Sequence, residues 1–347
     1  MKTVALLPAH PSQVWMLNQV AMELVPHVRV AWYMRDKDRS AEIAKALGVD
    51  YKQLSSARKG LVGNGLEMLM DTVKALRETG REGIDLWVTK FGAGNIAARL
   101  LGKKSISFND DDADLVPLIA ATSYRFADKV LVSDVTRMGK YEHKAVRYPS
   151  FHELFYLHPS RFSPDPKIRS ELGLTEQDRY GIVRLSALTA HHDYGVRGIG
   201  KDFLLDIIKR YRHEVTIFIS GEKVLDADLE PYRIPTRPER MHHALAFADF
   251  FLGDSQTMTS EAAVLGTPAF RLNDFVGRIS CIGELERYGL AFGFLPGEEA
   301  ALAEKLHSII RRVDCRQEFA LKRAKMLKDK IDPAPWFAAQ VMRALFR

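Results

Sequence analysis

Short apolar runs alternate with amphipathic stretches through the first 150 residues. The runs TVALLP, VRVAWYM, DLWVT, SISFND and KVLVSD are apolar rather than strictly alternating. Strands buried on both faces of a parallel sheet read this way. Between them, SQVWMLNQVAMELV, SAEIAKALG and GLEMLMDTVKALRET carry helical spacing. Strand–helix alternation predicts a doubly wound α/β domain.

The alternation then breaks. YPSFHELFYLHPSRFSPDPKIRSELGL is rich in Pro, Ser and aromatic residues and reads as a connection ending in a short helix. From Tyr180 the pattern restarts with YGIVRLSA, DFLLDIIKRYR, VTIFIS, HHALAFA, DFFLGD, TMTSEAAVLG and PAFRLN, and the tail is helical. The expected organisation is a Rossmann-like domain over 1–160, a second over 161–332, and a helix over 333–347. Two such domains leave a cleft, and ligands of open α/β sheets bind outside the carboxyl ends of the strands.

Composition narrows the class. At 347 residues the chain can hold two cores, and 46% apolar with 27% charged residues describes a globular protein. No apolar stretch is long enough to span a bilayer, and Pro8 and Pro11 cut short the N-terminal run. Cytoplasmic residence is therefore expected. Cys281 and Cys315 form no Cys-x-x-Cys pair and read as reduced thiols. The net charge of +6 fits phosphorylated substrates or peripheral contact with an anionic membrane face. Basic residues are scattered and not interleaved with aromatics, so nucleic acid is not an expected partner.

Candidate chemistry concentrates in FADFFLGDSQTMTSEAAVLGTPAFRLN, residues 247–273. An apolar strand ends in Gly253-Asp254-Ser255, and a helix of small residues follows, containing one charge, Glu261. Projected at 100° per residue, Glu261 lies at the edge of the stripe formed by Met258, Ala262 and Leu265. A carboxylate there needs a partner. The helix start offers the unpaired N–H groups of Gln256, Thr257 and Met258, which favour an anion. A diphosphate at Ser255 with Glu261 on a ribose explains both features. A capped core helix whose Glu261 pairs with an arginine explains them equally well.

LGDSQTMTSEAAVLGTP resembles the nucleotide-binding stretch of GT-B proteins, notably the non-hydrolysing UDP-N-acetylglucosamine 2-epimerases. Their segment reads Asp-Ser-Gly-Gly-x-x-x-Glu with a Leu-Gly-x-Pro ending. The resemblance implies phosphate contacts at Ser255, Gln256 and Thr257 and a ribose contact at Glu261. Both glycines of the motif are replaced here. Thr189-Ala190-His191 is similar to the epimerases' Thr-Ala-His motif, while Asp193 and Gly195 depart from the pattern. Nearly the whole chain resembles an archaeal and bacterial domain of unknown function grouped with GT-B proteins, through PAHPSQV, SFNDDDAD, ADKVLVSD, RFSPDP and HHD. The implied fold is GT-B-like: two doubly wound parallel-sheet domains facing across a cleft, with the C-terminal helix crossing back.

FNDDDAD places Asp110, Asp111, Asp112 and Asp114 just past a strand. Adjacent carboxylates raise one another's pKa, as a general base requires, although an acidic helix start has the same composition. In the epimerases a catalytic Glu occupies this region, so Asp111 and Asp112 are the candidates, with His10 next. The other acidic residues that epimerisation uses are not evident in VTKFGAG or DLVPLIAAT. Arg184 interrupts an apolar strand at its carboxyl end and suits a leaving diphosphate. Arg197 and Lys201 read singly as surface charges. His191 suits a phosphate or hydroxyl contact; His191, His192 and Asp193 are sequence neighbours and do not read as a metal site. Gly92-x-Gly94-x-x-Ala97 competes as a dinucleotide fingerprint, but sits in an interior βα unit, where a tight turn explains it.

The expected activity is glycosyl transfer from a UDP-sugar, without metal or further cofactor, to a glycan or lipid-linked acceptor. Alternatives are a sugar-nucleotide epimerase and a nucleotide-sugar-binding protein without turnover.

Overall fold

The computed structural model describes residues 1–36, 39–56, 61–186, 198–221 and 224–346, and of residues 36, 55, 56, 61, 62 and 64 the backbone only. The chain divides into two compact units: Met1–His158 with Lys330–Arg347, and Pro159–Asp329.

The first unit holds strands β1 (Thr3–Leu7), β2 (Arg29–Asp36), β3 (Lys52–Ser56), β4 (Leu86–Thr89), β5 (Lys104–Asn109), β6 (Lys129–Ser133) and β7 (Ala145–Tyr148). They form one sheet in the order β3-β2-β1-β4-β5-β6-β7, with every pairing parallel. The second unit holds β8 (Tyr180–Leu185), β9 (Thr216–Gly221), β10 (Phe250–Gly253), β11 (Ala269–Leu272) and β12 (Ala291–Phe294). Their order is β12-β11-β10-β8-β9, again all parallel. Both units are thus Rossmann-like and α/β, as the alternation predicts.

Central strands such as β1, β4 and β10 are buried at every position. Two strands escape the apolar-run criterion: β3 (KQLSS) and β7 (AVRY). Both are sheet edges. An edge strand is covered less completely, so its sequence is freed from the continuous apolar run.

Chain order reverses once in each sheet. In the first unit the reversal lies between β1 and β4; in the second it lies between β8 and β10. At such a point successive crossovers leave in opposite directions and open a crevice at the carboxyl ends.

The C-terminal helix Pro333–Phe346 belongs to the first unit. Phe337 is fully buried, with its ring edge-on to Phe108 at 6.0 Å and Phe155 at 5.6 Å, and Trp336 lies 5.4 Å from Tyr148. The approach is tied down by Ile331 N–H donating to the Pro149 carbonyl at 3.1 Å and by Ser150 Oγ donating to the Ile331 carbonyl at 2.7 Å. No described helix is long and apolar enough to cross a membrane.

Candidate functional site

In the second unit the reversal between β8 and β10 brings Arg184 and Gly253 into register. Arg184 is half-buried, and its Nη1 donates to Ser220 Oγ at 2.8 Å. Directly after Gly253, Ser255 caps the helix Gln256–Leu265. Its Oγ accepts from the Met258 N–H at a long 3.4 Å, while Thr259 Oγ1 donates to the Ser255 carbonyl at 2.6 Å. Ser255, Gln256 and Thr257 are half-buried. The helix geometry leaves the first N–H groups without intrahelical acceptors. The helix stops at Gly266, whose φ of 87° is the left-handed conformation that glycine adopts without a Cβ clash.

Glu261 is buried inside this helix, and His242 is a partner for its carboxylate. His242 Nε2 lies 3.0 Å from Glu261 Oε1. The neighbouring His243 accepts the Asp165 N–H through Nδ1 at 2.9 Å, so the His-His pair ties two separate segments. Adjacency in sequence gave no signal of either role.

Asp254 separates Gly253 from the cap. It is buried, and its Oδ1 accepts the Ser186 N–H at 2.8 Å. Burial pushes its carboxyl up to about 6, against the hydrogen bonds and the Arg184 charge, which pull it down. The folded pKa lies above the ordinary 3.8, so the charged form is penalised only in the folded state. Stability therefore falls as pH rises between those values, and the full penalty is present above about 6. Asp254→Asn, which keeps an acceptor for Ser186, is expected to stabilise the protein at pH 8 by on the order of 1–3 kcal/mol relative to its effect near pH 4. Urea unfolding of both proteins at the two pH values measures this. Equal effects at both would place the titration elsewhere.

In the first unit the reversal lies between β1 and β4. His10, just past β1, caps the helix Pro11–Leu24: its Nδ1 accepts the Ser12 N–H at 3.3 Å and lies 2.9 Å from Ser12 Oγ. Lys90 follows β4, where its Nζ reaches Asp111 Oδ2 at 2.9 Å and Asp110 Oδ1 at 3.3 Å. Burial works against the Lys90 ammonium, but the two carboxylates hold its pKa above that of an ordinary lysine. Burial alone would raise Asp110; Lys90 and His152 outweigh it and hold that carboxyl well below the usual range. Asp110 is therefore an ionised, weak base.

The aspartates divide by environment. Asp110 and Asp111 are half-buried, whereas Asp112 is fully buried. Asp112 Oδ1 accepts the Arg137 N–H at 2.6 Å and Oδ2 pairs with Arg137 Nη2 at 3.0 Å, which gives Asp112 a structural duty. Asn109 donates to the Asp111 carbonyl at 2.9 Å and to Tyr124 Oη, fixing the turn. His152 is buried nearby; its Nε2 has no hydrogen-bond partner, and burial lowers its pKa.

Lys90 and His152 are the members of this cluster that the sequence did not single out. A charge at the end of an apolar strand was the available signal for Lys90. Lys201 forms a surface pair with Asp228 at 2.6 Å. His191 and Arg197 lie outside the described residues. Gly92 and Gly94 both serve packing: a Cβ would meet the Thr122 carbonyl oxygen at 2.7 Å and the Trp87 ring at 2.9 Å, respectively. Among the described residues, no three His, Cys, Asp or Glu side chains group as metal ligands would.

No family model matches the chain, and no curated protein does. Solved structures do. The UDP-GlcNAc 2-epimerase from Neisseria meningitidis bound to UDP-GlcNAc aligns at TM-score 0.65 and 12% identity, covering 99% of each chain. The spinosyn forosaminyltransferase SpnP aligns at 0.64 and 13%, covering 100% of each, and Acinetobacter baumannii MurG at 0.59 and 16%, covering 99% of each. The likeness is one of fold: the chain has a GT-B-like architecture.

Proposed function

We propose that the protein binds a UDP-sugar through its second unit and transfers the sugar, without a metal ion, to an acceptor hydroxyl in surface or lipid-linked glycan synthesis. The observation that carries the reading is the β8/β10 reversal, where Arg184 stands in register with Gly253 beside the Ser255 helix start. A guanidinium and a helix N-terminus together suit a diphosphate that gains charge as it leaves. The solved structures of similar fold add support, because the Neisseria protein holds a UDP-sugar.

In this reading the diphosphate lies against Ser255, Gln256, Thr257 and Arg184, and Glu261, oriented by His242, takes the ribose hydroxyls. Asp111 accepts the acceptor's hydroxyl proton. The acceptor oxygen then bonds to the anomeric carbon, and the anomeric C–O bond breaks with its electron pair passing to the departing UDP. Lys90 holds Asp111 in place. His10, as a helix cap, is the second candidate base, and Asp112 is set aside because both its oxygens are engaged.

A sugar-nucleotide epimerase is the second reading, supported by the likeness to the Neisseria enzyme. Against it stands Lys90 at the end of β4, a cation held in its charged form and unsuited to removing a proton. Thermal shift with nucleoside diphosphates, followed by UDP release with and without acceptor extract, tests the proposal. Stabilisation by UDP and acceptor-dependent release are expected. Conversion of the UDP-sugar to an isomer without acceptor and without UDP release would favour the epimerase, binding with neither isomer nor UDP formed a carrier, and stabilisation by no nucleotide would overturn the reading.

Glu261→Gln is expected to weaken UDP binding by on the order of 1–3 kcal/mol, the range for leaving polar groups poorly matched. Calorimetry giving equal affinities would leave Glu261 a structural role, as in its bond to His242.

A further inference from the structure

The helix Leu61–Glu82 runs between β3 and β4 and turns two chemically distinct faces to its surroundings. Its inner face packs Ala75 and Leu76 against the core and engages acidic side chains beside them. Glu67 accepts from Arg35, Glu78 from Tyr33 and Lys52, and Glu82 from Lys52 and Arg29, while Asp71 is buried. Those are all the carboxylates of the helix.

The outer face carries Leu66, Leu69, Met70 and Val73, exposed by 47%, 62%, 41% and 58%. Their spacing is that of one helical stripe, the pattern that normally faces a core. Continued toward the helix C-terminus, the same stripe becomes basic. Arg77 falls on it one turn after Val73, and Arg81 follows a turn later; both are exposed, with Glu78 3.9 Å from Arg81. Lys74 flanks the stripe, its Nζ donating to the Leu54 carbonyl at 2.6 Å.

We propose that this face docks on an anionic lipid bilayer, with the four aliphatic side chains entering the acyl boundary and Arg77 and Arg81 meeting phosphate headgroups. Charge decides the occupant. An apolar stripe that runs into cations with no acidic side chain between them fits a surface that is hydrocarbon within and anionic at its rim. Glu78, the carboxylate 3.9 Å from Arg81, is already engaged by Tyr33 and Lys52, so a second copy laid on the same face would offer Arg77 and Arg81 no unengaged acid from that position. The inference is independent of the nucleotide reading, since none of its residues belongs to that site.

Flotation of the full chain with vesicles of phosphatidylcholine, alone or mixed with phosphatidylglycerol, tests it. Binding is expected with the mixed vesicles, falling as salt rises, and little with the neutral ones. Arg77→Gln with Arg81→Gln should lower the bound-to-free ratio about tenfold or more, given what each surface cation contributes near an anionic leaflet. Leu69→Glu with Val73→Glu should abolish binding at every salt concentration. All four positions are exposed, and circular dichroism checks that the fold persists. Equal flotation of wild type and variants would overturn the proposal. So would a wild-type dimer that Leu69→Glu with Val73→Glu converts to monomer in sedimentation while vesicle binding is absent, because the face would then belong to a second copy.

Discussion

Asp111→Asn is expected to lower acceptor-dependent UDP release by roughly 10²–10⁴-fold, the usual contribution of a positioned general base, with UDP affinity unchanged. The variant keeps the Asn109 bond, which goes to the Asp111 carbonyl, and leaves Asp110 to hold the Lys90 ammonium. Asp112→Asn is the control. It should weaken the Arg137 contact and reduce stability while sparing chemistry, since Asp112 is sealed from any substrate. Steady-state rates and urea midpoints on both variants separate the two duties. Full turnover in Asp111→Asn on an identified substrate would move the base to His10.

Phe337→Ala should destabilise the first unit by about 3–5 kcal/mol, the usual cost of truncating a buried phenylalanine. The ring is fully enclosed between Phe108 and Phe155, on β5 and on the short helix Leu154–Leu157, so its loss leaves a cavity that neither element closes alone. Hydrogen exchange should show β5 and its neighbours loosening while β8 and β10 keep their protection. Removing residues 333–347 should do the same more severely. Loosening confined to the second unit would refute this assignment of the helix.

Most of the fold was legible because buried parallel strands announce themselves as unbroken apolar runs. Edge strands do not: KQLSS in β3 has a single large apolar residue, and nothing in its pattern distinguishes it from a loop. The candidate nucleotide site was legible for a related reason. Ser255, the small-residue helix and Gly266 are contiguous, so capping chemistry can be read directly. Glu261 was recognisable as a charge in need of a partner, but His242 sits on another helix, and only the packing of the two helices brings it there. The cluster in the first unit is assembled from the ends of separate strands. Lys90 meets Asp110 and Asp111 because β4 and β5 are adjacent in the sheet, and His152 joins from beyond β7. Sequence spacing carries no trace of such a meeting.

The return of residues 330–347 to the first unit has a consequence for biosynthesis. A ribosome makes Phe108 and Phe155 early, yet the ring that covers them is translated only after the whole segment Pro159–Asp329. At translation speeds of about 5–20 residues per second, that delay is on the order of ten to thirty seconds. Throughout it, the nascent N-terminal portion presents an uncovered aromatic seam, whereas the second unit is contiguous and complete as soon as it emerges. The order of maturation is thus inverted, with the later-made unit able to finish first. The earlier one completes its aromatic core only when the helix Pro333–Phe346 arrives.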